Sequence, residues 1–123
     1  MSRTDITILY VDDEEINLFL FQHQFKAKYN VLVASSPLQG LEILQNNSDD
    51  IIVVISDMRM PKMNGLEFIS QAKEKYNKLF YFILTAFDYD DDINAALEEK
   101  LIHKFFSKPF DFDEIDKAIQ DLV

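Results

Sequence analysis

Five short apolar runs, rich in β-branched and aromatic side chains, recur along the chain and predict β-strands. They cover residues 6–11, 31–34, 51–56, 79–85 and 102–107. Apolar side chains fill consecutive positions in these runs rather than alternate ones, which is typical of strands buried on both faces. The pattern therefore predicts a parallel sheet with helices on both sides.

The segments between these runs repeat their apolar residues with the period of an α-helix. The predicted buried stripes are Leu18, Phe21 and Phe25; Leu38, Leu41 and Leu44; Leu66, Ile69, Ala72 and Tyr76; Ile93, Ala96 and Leu97; and Phe112, Ile115, Ile119 and Leu122. Ser36 stands at an N-cap position before Pro37, which favours a helix start there. Asp90, Asp91 and Asp92 place negative charge in the first turn of the fourth helix.

Strands that alternate with helices leave few topologies, because parallel connections are right-handed. The expected fold is an α/β, flavodoxin-like, doubly wound, five-stranded parallel sheet in the order 2-1-3-4-5, with five helices. We expect one domain over residues 1–123, with an ordered core from about 6 to 122 and no output domain. Ligands bind such sheets outside the carboxyl ends of the strands, near the switch point between strands 1 and 3.

Composition and charge narrow the classes of partner. The 123 residues include 12 Lys and Arg against 22 Asp and Glu, a formal net charge of −10. Because this charge repels nucleic acid and anionic membranes, a small cation is the favoured partner. The absence of cysteine excludes disulfides, zinc–thiolate sites and thiol catalysis. The apolar runs are far shorter than the ~18 residues of a membrane helix, so a soluble, cytoplasmic protein is expected.

Polar side chains follow or end four of the five predicted strands at their carboxyl ends. Asp12 and Asp13 follow strand 1, Asp57 follows strand 3, Thr85 ends strand 4 and Lys108 follows strand 5. Three ionised carboxylates at one edge repel one another, and a hard divalent cation such as Mg²⁺ relieves that repulsion. With a metal, a lysine and a hydroxyl beside it, an aspartate can act as a nucleophile in phosphoryl transfer, and Asp57 is the best candidate.

Four sequence motifs contain these polar residues in the same order. They are ILYVDDE at 8–14, ISDMRMPKMNG at 55–65, LTA at 84–86 and SKPF at 107–110. Together they resemble the receiver domain of two-component response regulators, of the chemotaxis-regulator type, over about residues 6 to 122. The resemblance implies a domain that is not otherwise an enzyme and that catalyses only its own phosphorylation and dephosphorylation.

The resemblance also implies a phosphoacceptor and a metal site. Asp57 would receive the phosphoryl group from a phosphohistidine on a sensor histidine kinase or a histidine phosphotransfer protein. Asp13 and Asp57 would bind Mg²⁺ through their side chains. Arg59 would add its backbone carbonyl, and Asp12 would act mostly through water. The downstream protein target stays open, and a monomer or weak dimer is expected.

A switch and a docking surface follow from the same resemblance. Thr85 and Lys108 would contact the phosphoryl oxygens, and Thr85 would be drawn toward them. Phe105 would then move inward as the aromatic switch residue and change the face formed by helix 4, strand 5 and helix 5. Phe19, on the outer side of the first helix, would either lie on the docking surface for the phosphotransfer partner or fold back over a neighbouring side chain.

Two departures from the usual receiver pattern stand near the expected site. Residues 98–101, Glu-Glu-Lys-Leu, replace the Gly-Ala pair that often precedes strand 5, so a differently shaped loop is expected. Phe87 and Arg59 flank the expected path of the water that attacks the acyl phosphate. These two side chains therefore bear on the lifetime of the phosphorylated state.

Two other functions stay open from the sequence. A phosphohydrolase of the haloacid dehalogenase type also uses a strand-end aspartate with Mg²⁺, threonine and lysine. Its motif has a second aspartate two residues after the nucleophile, where this chain has Arg59. A receiver-like adaptor that binds partners without phosphorylation is the second alternative, although all five key side chains are present.

Overall fold

The computed structural model describes residues 6–86 and 91–123, which form five strands that alternate with five helices. The strands are β1 (Thr7–Val11), β2 (Asn30–Ala34), β3 (Ile51–Asp57), β4 (Phe80–Thr85) and β5 (Lys104–Ser107). The helices are α1 (Glu15–Phe25), α2 (Pro37–Asn47), α3 (Gly65–Lys75), α4 (Asp91–Glu98) and α5 (Phe112–Gln120). Neighbouring strands are parallel in the order β2-β1-β3-β4-β5, so the predicted flavodoxin-like, doubly wound fold is confirmed.

The sheet divides the hydrophobic core into two layers. The first layer packs α1 and α5 against one face of the sheet, through Leu18, Phe21, Phe25, Ile115, Ala118 and Ile119. The second layer packs α2, α3 and α4 against the other face, through Leu44, Phe68, Ile69, Ala72, Ile93 and Ala96. Along β1, Ile8 and Tyr10 belong to the first layer, and Leu9 and Val11 belong to the second. Burial on both faces explains why the strands are continuously apolar.

The starts of the helices are built largely as the sequence predicts. The side chain of Ser36 caps α2 by accepting a hydrogen bond from the backbone of Gln39 at 3.1 Å, and Pro37 is the first helical residue. Asp91 and Asp92 lie in the first turn of α4. Phe87 and Asp90, for which the sequence also predicts roles, lie outside the described residues.

The buried stripe of α2 differs from the prediction. Leu38 is 68% exposed, and the residues that face the sheet are Pro37, Gly40 and Leu44. Gly40 allows this close approach, because a Cβ atom there would lie 3.0 Å from the ring of Phe68. Leu44 is completely buried and Leu41 packs partly buried against the second core layer, so the prediction fails at Leu38 alone.

The connection between α4 and β5 turns tightly. Lys100 has a φ angle of 62°, in the left-handed region that often ends a helix, and the backbone N–H of Leu101 donates to the carbonyl of Ala96 at 2.8 Å. Strand β5 begins at Lys104, two residues later than predicted. Among the described residues, no helix is long and apolar enough to cross a membrane.

Candidate functional site

Three carboxylates meet at the carboxyl edge of the sheet, as the sequence predicts. Strands β1 and β3 pair so that Val11 lies beside Ser56, and this register brings the residues that follow, Asp12 and Asp57, to the same edge. Asp12, Asp13 and Asp57 each offer an oxygen atom, and these atoms all lie within 4.8 Å of one another. Asp12 and Asp57 are buried, whereas Asp13 is exposed. Such a group of oxygen ligands suits a hard divalent cation.

Asp12 is held by four hydrogen-bond donors. Its Oδ2 accepts from the hydroxyl of Tyr10 at 2.6 Å, from Nδ2 of Asn17 at 3.2 Å and from Nζ of Lys108 at 3.3 Å. Its Oδ1 accepts from the backbone N–H of Glu14 at 2.9 Å. These bonds compensate the burial of this carboxylate and fix its orientation. Burial and the neighbouring Asp12 raise the pKa of Tyr10 well above its usual range, so the tyrosine hydroxyl keeps its proton and donates.

Lys108 joins the two buried carboxylates. Its Nζ lies 2.9 Å from Oδ1 of Asp57 and 3.3 Å from Oδ2 of Asp12, and its backbone N–H donates to the carbonyl of Thr85 at 2.7 Å. Burial alone would lower the pKa of Lys108, but the contacts with Asp57 and Asp12 outweigh burial and raise it. The lysine is therefore a fixed positive charge beside Asp57.

Asp57 carries an energetic cost in its ionised form. Burial raises its pKa, the hydrogen bond from Lys108 opposes that effect, and repulsion from Asp12 and Asp13 adds to it, so that the net shift is upward. An acid with a raised folded-state pKa loses stability as the pH rises from its unfolded-state pKa to its folded-state pKa. A cation placed among the three carboxylates reduces this cost.

The loop after β3 is pressed against the backbone of Asp57. The N–H of Met58 donates to the carbonyl of Leu84 at 3.1 Å, and the N–H of Gly65 donates to the carbonyl of Met58 at 2.8 Å. A Cβ atom on Gly65 would lie 2.3 Å from the backbone oxygen of Asp57. Glycine at this position therefore lets α3 start directly beside the carboxylate.

Comparison with known proteins identifies the family. A family model described as the response regulator receiver domain matches residues 8–120. The chain belongs to this family. Receiver domains are signalling domains of two-component systems, generally not enzymes. They are phosphorylated by histidine kinases or phosphotransfer proteins and bind Mg²⁺ at their acidic pocket.

Individual relatives agree with this assignment. Sporulation initiation phosphotransferase F of Bacillus subtilis is 34% identical over 115 residues, which are 92% of this chain and 90% of that protein. A receiver domain from Clostridium thermocellum has 29% identity and a TM-score of 0.84, with 95% of this chain and 93% of that chain covered. The transcriptional regulatory protein GlrR of Escherichia coli is 32% identical over the whole of this chain. The chain spans only about a quarter of the length of GlrR and of the regulator HoxA of Cupriavidus necator.

The remaining predicted residues of the receiver lie at the end of β4, in the loop after β3 and in β5. Thr85 is buried at the end of β4, next to the Asp57–Leu84 strand pair. Arg59 lies in the loop two residues after Asp57 and is exposed. Phe105 pairs with Ile83 across β5 and β4 and packs, half-buried, against the second core layer.

Three residues that contribute to the site were missed by the sequence analysis. Tyr10 and Asn17 donate hydrogen bonds to Asp12, and Gly65 lies against the backbone of Asp57. Tyr10 carried a weak signal, because it brings one polar group into an apolar strand. Its partner, however, is visible only in the folded chain.

Proposed function

We propose that Asp57 is the phosphoacceptor of this receiver and takes its phosphoryl group from a phosphohistidine in an Mg²⁺-dependent reaction. The observation that supports this most strongly is the position of Asp57, buried 2.9 Å from Nζ of Lys108 and grouped with two further carboxylates. Lys108 supplies a fixed positive charge beside Asp57, and the other two carboxylates form with it a group that can bind a metal cation. A carboxylate in these surroundings is suited to attack a phosphoryl group.

The proposed reaction forms one bond and breaks one. An oxygen of Asp57 attacks phosphorus, the P–N bond to histidine breaks, and the imidazole leaves with that electron pair and takes up a proton. The product is an acyl phosphate on Asp57. Lys108 neutralises negative charge on the transferred group, and the hydroxyl of Thr85 donates to one of its oxygens.

The proposed metal is Mg²⁺, which prefers oxygen ligands and supplies further charge neutralisation when bound. Asp13 and Asp57 would bind it through their side chains and Arg59 through its backbone carbonyl. Asp12 would act mostly through water. Its Oδ1 accepts only from the backbone of Glu14 and keeps a lone pair that can accept from a metal-bound water, whereas three donors share Oδ2.

Removal of Asp13 should abolish the effect of Mg²⁺ on stability. At ten times its dissociation constant, Mg²⁺ should stabilise the wild-type chain by RT ln 11, about 1.4 kcal/mol. Asp13→Ala should lose most of this increment, because Asp13 is the exposed ligand of the group. Urea unfolding with and without Mg²⁺ measures both values. Asp50→Ala, which changes an exposed aspartate after α2, is the control and should respond as the wild type does. An unchanged response in Asp13→Ala would exclude this ligand.

Incubation with acetyl phosphate and Mg²⁺ tests the proposed function against its two alternatives. A receiver should form a covalent phosphoryl adduct that intact-protein mass spectrometry detects. A phosphohydrolase would instead turn over a phosphate ester many times. An adaptor would do neither. The exposed Arg59 at the position where the hydrolase needs a second aspartate supports the receiver.

We further propose that α1 forms the docking surface for the phosphohistidine protein. Ile16, Phe19 and Leu20 are exposed on this helix, which begins three residues after Asp12. Phe19 is 63% exposed and also stacks on His23, with ring centroids 5.9 Å apart. It therefore both contacts a neighbouring side chain and presents an aromatic face to a partner. Exposed aromatic residues of this kind often dominate binding energy.

Phe19→Ala should slow phosphoryl transfer by about tenfold, which corresponds to the loss of one strong interface contact. The rate is measured with a phosphorylated histidine kinase or phosphotransfer protein that labels the wild-type chain. Labelling by acetyl phosphate should not change, since it needs no protein contact. The control is Phe80→Ala, which removes a partly exposed aromatic residue from the opposite end of the sheet. Equal transfer rates in Phe19→Ala and the wild type would refute the docking role.

We also propose that Thr85 and Phe105 couple phosphorylation to the face formed by α4, β5 and α5. Movement of Thr85 toward the phosphoryl group would open space that the ring of Phe105 fills. Because Phe105 has no hydroxyl, apolar burial must favour the inward position. Addition of beryllofluoride and Mg²⁺, which mimic the phosphoryl group, should change the ring NMR shifts of Phe105. Unchanged shifts with the ligand bound would contradict this mechanism.

A further inference from the structure

Three hydrogen-bond donors crowd Oδ2 of Asp12, whereas Oδ1 accepts from one. An ionised carboxylate offers about four lone-pair positions. Asp12 accepts four hydrogen bonds from Tyr10, Glu14, Asn17 and Lys108, and its side chain has no exposed surface. The three donors on Oδ2 exceed its two lone pairs, and they draw negative charge from the carboxylate that a cation, or a water molecule on that cation, would otherwise use.

The hydroxyl of Tyr10 is the donor least able to leave. Its bond to Asp12, at 2.6 Å, is the shortest of the four. The tyrosine ring is completely buried and stacks on Phe21 with centroids 4.2 Å apart, and Phe21 stacks in turn on Phe25 at 4.1 Å. A ring fixed in this way holds its hydroxyl against Asp12 whether or not a cation is present.

We propose that Tyr10 is a positioning residue that lowers the Mg²⁺ affinity of the site, because its short hydrogen bond to Oδ2 takes up negative charge of the Asp12 carboxylate. The inference rests on the proposed metal site and names one residue that affects the affinity of that site for Mg²⁺. Three other donors keep Asp12 oriented without the hydroxyl, so its removal relieves the crowding on Oδ2 and leaves more negative charge on the carboxylate. The metal then binds more tightly.

The test compares the Mg²⁺ dissociation constants of the wild type and Tyr10→Phe by isothermal titration calorimetry. Phenylalanine keeps the stacked ring and removes only the hydroxyl. Mg²⁺ should bind Tyr10→Phe about three- to tenfold more tightly, on the scale of the net contribution of one ordinary hydrogen bond. The matched control is Tyr81→Phe, which removes another buried hydroxyl that donates to the carbonyl of Tyr76 at 2.8 Å, in the other core layer. Its dissociation constant should equal that of the wild type.

The outcomes separate this inference from the proposed function. If the wild type binds Mg²⁺ and Tyr10→Phe binds it equally or more weakly, Tyr10 does not limit the affinity, and the proposed metal site still stands. If the wild type shows no saturable Mg²⁺ binding, the proposed metal site fails and the inference fails with it. A purely structural role of the hydroxyl would lower the melting temperature without tightening Mg²⁺ binding.

A second variant keeps the proposal testable if Tyr10→Phe does not fold. Asn17 donates to the same oxygen of Asp12 at the longer distance of 3.2 Å, from the first helix rather than from the buried strand. Asn17→Ala should also tighten Mg²⁺ binding, by less than Tyr10→Phe, because it removes a weaker bond. Unchanged or weaker binding in Asn17→Ala would overturn the proposal.

Discussion

Asp57→Asn should abolish phosphorylation of this chain by acetyl phosphate in the presence of Mg²⁺. The substitution keeps the size of the side chain and removes the anionic oxygen that attacks phosphorus. Lys108 keeps its ion pair with Asp12 at 3.3 Å, and Asp12 and Asp13 are unchanged, so we expect the variant to fold. Intact-protein mass spectrometry should show the adduct in the wild type and none in the variant.

Asp49→Asn is the matched control for this experiment. It makes the same chemical change at an exposed aspartate after α2, and it should be labelled as the wild type is. Peptide mapping of the wild-type adduct provides a second check, because the label should lie on the peptide that contains Asp57. The assignment would be wrong if Asp57→Asn were labelled to the same extent at another aspartate.

Gly65→Ala should destabilise the fold by about 3 kcal/mol, the upper end of the usual cost of overpacking. The added Cβ would lie 2.3 Å from the backbone oxygen of Asp57 and 2.8 Å from Cδ1 of Ile83. The backbone oxygen belongs to a buried strand and cannot move away without shifting Asp57 itself. We therefore expect a lower free energy of unfolding in urea together with slower labelling by acetyl phosphate.

Gly40→Ala provides a control within the same fold. Its Cβ would approach the ring of Phe68 and a methyl group of Val11 at 3.0 and 3.1 Å, and side-chain shifts of a few tenths of an ångström would relieve these contacts. Alanine is also the better helix former by ~1 kcal/mol, which offsets part of the packing cost. The free energy of unfolding should thus change much less than in Gly65→Ala. If both variants lost the same free energy of unfolding, the contact with the backbone oxygen of Asp57 would not be the cause of the destabilisation.

The sheet order and the meeting of the three carboxylates could be predicted from the sequence because both depend on local patterns. Continuous apolar strands and right-handed crossovers lead to one topology. That topology places every strand end at the same edge. The grouping of Asp12, Asp13 and Asp57 is a direct consequence, and the structure confirms it.

Other features depend on distances between elements, which no periodic pattern contains. The stripe of α2 was wrong at Leu38, because periodicity identifies apolar residues and does not reveal that Gly40 permits a closer approach to α3. Phe68, which is completely buried on α3, was missed for a similar reason. The four donors to Asp12 come from β1, α1, the loop before it and the end of β5, and only the folded chain brings them together.

The two core layers separate the proposed docking helix α1 from Phe105, the proposed switch residue. Helix α1 packs in the first layer, whereas Phe105 packs against the second, on the other side of the sheet. Substitutions in separate packing environments usually have additive effects on free energy. Changes that suit the chain to a new phosphohistidine protein can therefore accumulate on α1 without disturbing the residues around Phe105. We therefore expect substitutions on the exposed side of α1 and at Phe105 to affect partner binding and response separately.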